Sequence, residues 1–286
     1  MTVLVFGAGG PLDPILANVP GVVVLSPQAA DPRRPADCAD LVDDLAPTAV
    51  LYLATCRNAD LAEADPSFAQ AVNAATPHAL AAACASADIP FVFLSGADVF
   101  DGLLPMAYVA SDPACPTTAL GHSLWTGETG ILDVGGRTAV VRSTWIFGSD
   151  IDQATQEAGI QTSPTLWRVP DGGDGAPTPA FDLASALLAI AAALVHHSEK
   201  AGTYHFAGDQ NTTLAGFAQR LALNAGQTAP QIESCAASDL WSYPRVIPNA
   251  RLDCRTTQAV FGLQRPDWRA ALRPVGLKSG NRRDVA

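Results

Sequence analysis

Three side chains in the middle of the sequence could exchange protons with a bound molecule. Asp98 stands on a turn after a run of apolar residues, Tyr108 follows it, and His122 carries an imidazole, a side chain that can act as an acid or a base. Such groups are catalytic only within hydrogen-bond reach of a substrate. Each has a structural alternative, since Tyr108 could pack in the core and His122 lies on a predicted helix that could turn it away from a site.

A glycine-rich turn follows the first predicted strand. Gly7 and Gly10 have the spacing that lets a backbone approach a pyrophosphate at a helix start. Asp13, however, stands where a third glycine would complete the pattern, and its carboxylate would repel a pyrophosphate. The loop is therefore either a weak dinucleotide site or a tight structural turn.

Positive side chains are few, and two of them are expected to face an anionic ligand. Arg142 and Trp145 follow the fifth predicted strand, at the edge where open α/β sheets bind ligands, and Arg245 is a third candidate for this site. The alternative for Arg142 and Trp145 is packing between domains. The six cysteines are scattered without ligand spacing, so no metal site and no disulfide framework is predicted.

The composition is that of a globular protein with an acidic surface. Of 286 residues, 48% are hydrophobic and 16% are charged, and the net charge is −11. This charge excludes nucleic acid and anionic membrane as general partners, whereas a nucleotide can still be held by a local cation. The opening residues run straight into the glycine turn and no apolar run is long enough to span a bilayer, so we expect a cytoplasmic protein without a signal peptide.

The pattern of apolar runs predicts the elements that must position these residues. Short β-branched runs predict strands at 3–6, 22–25, 49–53, 91–94 and 139–141, with helices at 38–45 and 68–86 between them. This alternation is typical of a doubly wound, Rossmann-like parallel sheet in the α/β class.

From Gly148 the sequence becomes rich in Asp, Gln, Gly and Pro, and we place a domain boundary there. The prediction is a Rossmann-like domain over residues 1–148 and a smaller substrate-type domain over 149–286, some of whose elements return to the first. A helix at 180–197, a strand at 203–206 and a helix from about residue 213 are expected in this second half.

A series of motifs runs in order along almost the whole chain. They are Asp31-x-x-x-Pro35, Asp60-x-x-Glu63-x-x-Pro66-x-x-Ala69-x-x-x-Asn73, Ser95-x-x-x-Val99-Phe100-x-Gly102, Gly127-Glu128, Arg142-x-x-Trp145, Gly175-x-Pro177-Thr178, Gly202-x-Tyr204-His205, Arg245-x-x-x-Asn249-x-x-Leu252 and Pro266-Asp267-Trp268. Together they resemble the dTDP-4-dehydrorhamnose reductase family of extended short-chain dehydrogenases/reductases. The resemblance implies NADP or NAD as cofactor, with Asp31 near the adenine, and a nucleotide-linked 4-keto sugar as substrate.

The departures from this family fall on the chemistry. The positions at which the resemblance places the catalytic Thr, Tyr and Lys are Gly96, Leu120 and Leu124. None of these can donate a proton to a ketone or tune a proton donor. We therefore expect a diverged member in which standard Tyr/Lys-dependent reductase activity is absent and cofactor binding is weak or lost.

Three functions stay open at this point. The first is binding of NAD(P), a sugar nucleotide or a partner protein without standard hydride transfer. The second is a non-redox isomerase, lyase or cyclase that uses Asp98, Tyr108 or His122 in the retained cleft. The third is an NADPH-dependent nucleotide-sugar ketone reductase whose proton donor has moved.

Overall fold

The computed structural model describes residues 2–7, 9–148, 150–224, 230–240 and 246–272. Its strands are β1 (Val3–Phe6), β2 (Val22–Leu25), β3 (Ala49–Tyr52), β4 (Phe91–Gly96), β5 (Thr138–Ser143), β6 (Ile146–Phe147), β7 (Gln161–Thr162), β8 (Leu166–Pro170), β9 (Asp174–Gly175), β10 (Thr178–Pro179), β11 (Gly202–His205), β12 (Thr212–Thr213) and β13 (Gln231–Cys235). Its α-helices are α1 (Asp13–Ala17), α2 (Pro35–Leu45), α3 (Ala59–Ala64), α4 (Pro66–Gln70), α5 (Thr76–Ser86), α6 (Ala119–Val134), α7 (Ile151–Glu157), α8 (Ala180–His196), α9 (Leu214–Asn224), α10 (Arg255–Phe261) and α11 (Trp268–Ala271).

Six parallel strands form the main sheet, in the order β11-β5-β4-β3-β1-β2. The direction of strand progression reverses at β1, so the switch point lies between β1 and β3. In open α/β sheets, ligands bind in the crevice outside the carboxyl ends of the strands at this point. The α/β class and the doubly wound, Rossmann-like sheet predicted from the sequence are confirmed.

The central strands β1, β3, β4 and β5 are buried on both faces of the sheet, whereas the edge strand β2 is partly exposed. Leu4 and Phe6 pack with helices α2, α5 and α6, whereas Val5 between them packs with α1 and α8 on the opposite face. Alternate residues of a strand point to opposite faces, so a strand covered on both sides must be apolar throughout. This requirement explains why continuous apolar runs in the sequence become central strands.

Helix α6 lies unusually close to the carboxyl edge of the sheet. Thr118 begins it by accepting a hydrogen bond from Gly121 N at 3.0 Å. A Cβ at Gly121 would collide with the carbonyl oxygen of Asp98, and one at Gly127 would collide with that of Asn73. These two glycines therefore let α6 pack directly against the turn that carries Asp98 and against the π-helical turn Ala71–Ala75 that joins α4 to α5.

A second apolar cluster lies beyond β5. Strands β13, β8 and β7 form a three-stranded sheet against α9, and Trp145, Trp167, Phe217 and Trp268 are buried together. The region 148–179, which the sequence indicates as largely irregular, contains α7 and four short strands. Strand β11 returns to the main sheet beside β5, while a separate second domain starting near Gly148 stays a prediction.

Candidate functional site

Two cavities adjoin at the carboxyl edge of the main sheet. The first, of about 200 Å³, we call the cleft; its lining is Arg57, Asn58, Ala59, Ala97, Asp98, Leu120, Thr144, Trp145, Gln153, Gln156, Ala158, Gly159, Val246, Ile247 and Ala250. The second, of about 750 Å³, we call the outer cavity; its lining is Pro27, Gln28, Asp31, Pro32, Arg33, Arg34, Ala54, Thr55, Cys56, Arg57, Asn58, Leu61, Phe68 and Val72. Arg57 and Asn58 line both, so the segment after β3 is their common wall.

A guanidinium and a carboxylate converge over the end of β4. The position that a Cβ at Gly96 would take lies 2.8 Å from Asp98 Oδ2 and 3.7 Å from Arg57 Nη1. Arg57 Nη1 also donates to the carbonyl oxygen of Ser95 at 3.4 Å. Opposite charges in a partly water-excluded cleft interact more strongly than on an open surface. Asp98 and Arg57 thus form the charged floor of the cleft.

The segment that carries Arg57 is anchored by a buried amide. Asn73 Oδ1 accepts from Cys56 N at 2.7 Å, and Asn73 Nδ2 donates to Cys56 O at 3.1 Å and to Ser123 Oγ at 2.8 Å. Ser123 Oγ in turn donates to the carbonyl oxygen of Leu120. One fully buried side chain therefore ties the loop after β3 to α6 and fixes the backbone beside Arg57.

The positions at which the resemblance places Thr, Tyr and Lys lie together beside this floor. Leu120 lines the cleft, and Leu124 Cδ1 lies 3.5 Å from the position of a Gly96 Cβ. Both leucines are buried, at 5% and 0% exposed. The corner where a proton relay is expected from the resemblance is therefore apolar.

Trp145 forms a wall of the cleft in a strained backbone conformation. Its φ is +43°, which is uncommon for a bulky residue and costs on the order of 1–3 kcal/mol. Its ring stacks on Phe217 with centroids 6.2 Å apart, and a Cβ at Gly175 would come within 3.0–3.2 Å of that ring. Packing on both sides thus holds the indole at the cleft, where the sequence predicted it.

Two buried polar atoms on the cavity walls have no hydrogen-bond partner in the protein. Thr55 lines the outer cavity and Gln153 of α7 lines the cleft, but Thr55 Oγ1 and Gln153 Oε1 themselves have almost no accessible surface. Buried polar groups are nearly always satisfied, so an orphaned one indicates a water or a ligand. Each cavity therefore has an unsatisfied polar atom buried within its wall.

The space over the glycine loop is occupied by Asp13, the first residue of helix α1. Gly9 N donates to Asp13 Oδ2 at 2.7 Å, and a Cβ at Gly7 would collide with the same carboxylate. Gly7 therefore has to be glycine, but the space above it holds Asp13. Gly10 has open space around it and a negative φ, so neither contact nor conformation requires glycine there.

Asp31 lies in the outer cavity, paired with a neighbouring arginine. Arg33 Nη2 donates to Asp31 Oδ2 at 2.6 Å and Arg33 Nε donates to Oδ1 at 2.9 Å. These hydrogen bonds hold the pKa of Asp31 at about 2, well below its usual range. Arg34 pairs with Asp37 at 2.8 Å. Both arginines are exposed at the rim of the cavity.

Arg142 does not face the cleft, contrary to expectation. It is 2% exposed, and its guanidinium is bound by Glu128, with Nη2–Oε2 at 2.6 Å and Nε–Oε1 at 3.0 Å. Ser95 Oγ donates to the same carboxylate, and the guanidinium lies 5.0 Å from the Phe100 ring centroid. Since a fully buried carboxylate already neutralises it, Arg142 stabilises the interior and is not placed to bind a ligand.

The remaining candidates also lie away from the cleft. Tyr108 is buried, stacks on Phe100 with ring centroids 4.0 Å apart and donates its hydroxyl to Asp101 Oδ1 at 2.7 Å. Desolvation, followed by this hydrogen bond, raises the pKa of Tyr108. His122 is exposed on the solvent side of α6 and lines neither cavity. Arg245 lies outside the described residues. Of the predicted site, the structure brings only Asp98 and Trp145 together in the cleft, with Asp31 nearby in the outer cavity.

Sequence reasoning missed three residues of the site. Arg57 and Thr55 follow the buried strand β3 directly, and a charged residue at the carboxyl end of a central strand was an available signal. Gln153 carried no such signal, because it lies on a helix that the composition of its region does not predict.

A parallel sheet covered by helices, with cavities at its carboxyl edge beside the switch point, is the architecture of Rossmann-like dehydrogenases and reductases. The family model described as the RmlD substrate-binding domain matches residues 1–278. A dTDP-4-dehydrorhamnose reductase from Burkholderia thailandensis is 31% identical, over 97% of this chain and 97% of its own. The chain therefore belongs to the RmlD substrate-binding domain family, and the predicted resemblance is confirmed.

Solved structures agree with this fold. A dTDP-4-dehydrorhamnose reductase from Clostridium acetobutylicum has a TM-score of 0.83 at 21% identity, covering 96% of this chain and 97% of its own. One from Bacillus anthracis, in complex with NADP, has a TM-score of 0.80 at 20% identity, covering 95% of this chain and 96% of its own. In the described part of the chain, no helix combines the length and apolarity that a membrane span requires.

Proposed function

We propose that this protein binds a nucleotide ligand, NAD(P) or a sugar nucleotide, across the outer cavity and the cleft without Tyr/Lys-dependent hydride transfer. The observation that carries the proposal is the apolar corner formed by Gly96, Leu120 and Leu124 beside the charged floor. Reduction of a ketone requires a proton donor within hydrogen-bond reach, and leucine provides none. The relatives named reductases, and the one solved with NADP, support the choice of ligand class.

The described residues fit only part of a dinucleotide. The outer cavity suits a nucleoside, because it combines apolar walls at Leu61, Phe68 and Val72 with the polar side chains of Gln28 and Asp31. The glycine loop does not fit a pyrophosphate while Asp13 occupies it. NADPH would supply a hydride if bound, whereas the residues of this chain supply the cavity and the charged floor.

The direct test is an assay of NADPH oxidation with a dTDP-4-keto-6-deoxy sugar, run beside a family reductase as control. We expect a rate lower by at least about 10²-fold, the usual contribution of a general acid. A rate within tenfold of the control would contradict the proposal and favour a reductase with a relocated donor. If neither NADP⁺ nor a dTDP-sugar binds in calorimetry, binding of a partner protein becomes the better explanation.

Restoring the tyrosine and lysine that the family resemblance places at positions 120 and 124 is a second test of the proposal. Leu120→Tyr with Leu124→Lys should not recover activity, because Gly96 still lacks a hydroxyl. Adding Gly96→Thr forces Asp98 to move, since its Oδ2 lies 2.8 Å from the new Cβ. The variant that combines Gly96→Thr, Leu120→Tyr and Leu124→Lys with Asp98→Ala is therefore the one expected to regain turnover.

Asp98 favours a second candidate, a non-redox enzyme acting on a keto sugar. Its carboxylate lies in the cleft beside a guanidinium, so it could take a proton from the carbon next to a ketone while Arg57 stabilises the enolate oxygen. Incubation of a dTDP-4-keto-6-deoxy sugar in D₂O without NADPH should then introduce deuterium at that carbon. The signal should disappear in Asp98→Asn; exchange no faster than in buffer would exclude this candidate.

A further inference from the structure

Any ligand that reaches from the outer cavity into the cleft must pass Arg57. This residue and Asn58 are the shared wall of the two cavities. The outer cavity has apolar walls at Leu61, Phe68 and Val72, and the cleft is lined by the polar residues Asp98, Gln153 and Gln156. The outer cavity therefore suits a nucleoside and the smaller cleft a sugar-sized group, and the group that joins these two parts in a nucleotide ligand is a diphosphate.

The usual place for that diphosphate in this fold is taken. Asp13 accepts from Gly9 N at 2.7 Å and fills the space over Gly7. A phosphate arriving there would meet a carboxylate rather than free backbone N–H groups. The charge of a diphosphate must therefore be neutralised by another part of the site.

The other arginines of the outer cavity are less suited to this. Arg33 is held by Asp31 through two nitrogens, and Arg34 pairs with Asp37. Both stand at the rim with about two thirds of the side chain exposed, where salt and water weaken an ion pair. Arg57 is half-buried at the junction, and its loop is fixed by Asn73.

We infer that Arg57 binds the diphosphate of a nucleoside diphosphate ligand, in place of the glycine loop that Asp13 closes. This inference rests on the proposed function and names the residue that gives it affinity. A guanidinium is planar, always charged and matched to two phosphate oxygens at once. Asp98 lies near the same guanidinium, since both groups approach the position of a Gly96 Cβ, and its carboxylate therefore competes with a phosphate for Arg57.

Calorimetric titration can separate the diphosphate from the nucleoside. The probes are ADP, dTDP and UDP, each beside its nucleoside, with NADP⁺ and UDP-glucose as longer ligands. Arg57→Gln should weaken the diphosphates about tenfold or more, the scale of hydrogen bonds to charged groups, and leave the nucleosides unchanged. Arg57→Lys should restore part of the affinity, and Asp98→Asn should increase it because a competing carboxylate is neutralised.

Arg168→Gln is the matched control. It removes the same charge from the chain, its partner Glu233 is 3.9 Å away, and it lines neither cavity. Diphosphate affinity should not change in this variant. The choice among ADP, dTDP and UDP identifies whether the ligand is a dinucleotide or a sugar nucleotide.

The outcomes distinguish the two proposals. If wild-type protein binds diphosphates and Arg57→Gln binds them equally well, the role of Arg57 is wrong while the proposed function stands. If Arg57→Gln and Arg168→Gln weaken binding alike, only net charge matters and the inference is again wrong. If wild-type protein binds none of the probes, both proposals are wrong. Thermal melting of each variant verifies that the folded protein is being titrated.

Discussion

Two arginine–carboxylate arrangements lie near the end of β4, and they differ in their access to solvent. Arg142 and Glu128 are sealed in the interior, 3% and 0% exposed in their side chains, with Ser95 completing the network. Arg57 and Asp98 converge a few residues away, on the floor of the cleft. The same pair of chemical groups thus serves the core in one place and an open site in the other.

Burial explains the difference. Two charges taken out of water must satisfy each other completely, so the inner pair has no capacity left for a ligand. The outer pair is partly hydrated and its geometry leaves the guanidinium beside two cavities. The degree of burial therefore separates the structural arginine, Arg142, from Arg57 at the candidate site.

Breaking the inner pair should give the largest effect. Glu128→Ala leaves the Arg142 guanidinium buried without its carboxylate, and such a change typically destabilises by about 3–5 kcal/mol. Urea unfolding measures the loss. The double variant Arg142→Met with Glu128→Leu should recover much of it, since no charge is left buried.

The control for this prediction is an exposed pair. Arg255, 85% exposed in its side chain, pairs with Asp253 at 2.5 Å, and Arg255→Gln should leave the free energy of unfolding nearly unchanged. Equal losses of unfolding free energy in Glu128→Ala and Arg255→Gln would mean that burial does not distinguish the two kinds of ion pair.

His205 is buried in the same interior region as Arg142, so its protonation should make the stability of the protein depend on pH. Burial, followed by repulsion from Arg142, lowers its pKa to about 3, and its Nε2 has no partner. The unfolded chain therefore takes up a proton below about pH 6.5 that the folded protein refuses until about pH 3. Stability should fall by about 1.4 kcal/mol per pH unit over that window, and not above it.

The measurement is the difference in unfolding free energy between pH 7 and pH 5. It should be larger in wild type than in His205→Asn by about 2 kcal/mol, with Asn chosen to keep the donor to the Tyr108 carbonyl oxygen. His122→Asn is the control, since that imidazole is exposed. Parallel pH profiles in all three proteins would mean that His205 is solvated.

Asp13 allows a test of charge at the open site, because its carboxylate fills the space over the glycine loop in which a pyrophosphate would bind. Asp13→Asn keeps the shape and removes the charge, and Asp13→Gly opens the space above Gly7. Affinity for NADP⁺ and NAD⁺ should rise about tenfold in Asp13→Gly and less in Asp13→Asn, as expected when a like charge is taken from an anion site. Unchanged or weaker binding in calorimetry would make the glycine loop a structural turn.

The smallest effect is expected for the stability of the outer pair. Arg57→Gln and Asp98→Asn should each change the free energy of unfolding by less than about 1 kcal/mol, because both partners keep contact with water. Urea unfolding beside Glu128→Ala is the measurement. A loss approaching that of Glu128→Ala would place Arg57 with the core rather than with the site.

The strands could be predicted closely because each is a run of apolar residues bounded by turns. β1 and β2 have the predicted bounds, and β4 and β5 extend one or two residues beyond theirs. Helix α8 was also predicted nearly to its ends. Helix α7 was missed, since its seven residues carry only short apolar spacing among Asp and Gln. The π turn at Ala71–Ala75 leaves no signature in composition.

The site was predicted less well, because a site residue needs both the right position in the chain and a side chain that points into the cleft. Asp98 and Trp145 reach the cleft as expected, whereas Arg142 turns inward to Glu128 and His122 turns outward from α6. Each of these residues was placed correctly along the chain. Which way its side chain points depends on neighbours that are distant in sequence.

The sequence by itself determined the family, most of the strands and helices in their order, and the presence of Gly96, Leu120 and Leu124, none of which has a proton-donating side chain. These properties reside in residue types and local spacing, which fold into elements wherever the apolar pattern directs them. The tertiary structure alone decided that Asp13 fills the glycine loop, that Glu128 neutralises Arg142, and that Arg57 joins two cavities. The physical reason is that charge and hydrogen-bond satisfaction are settled between side chains that only folding brings together.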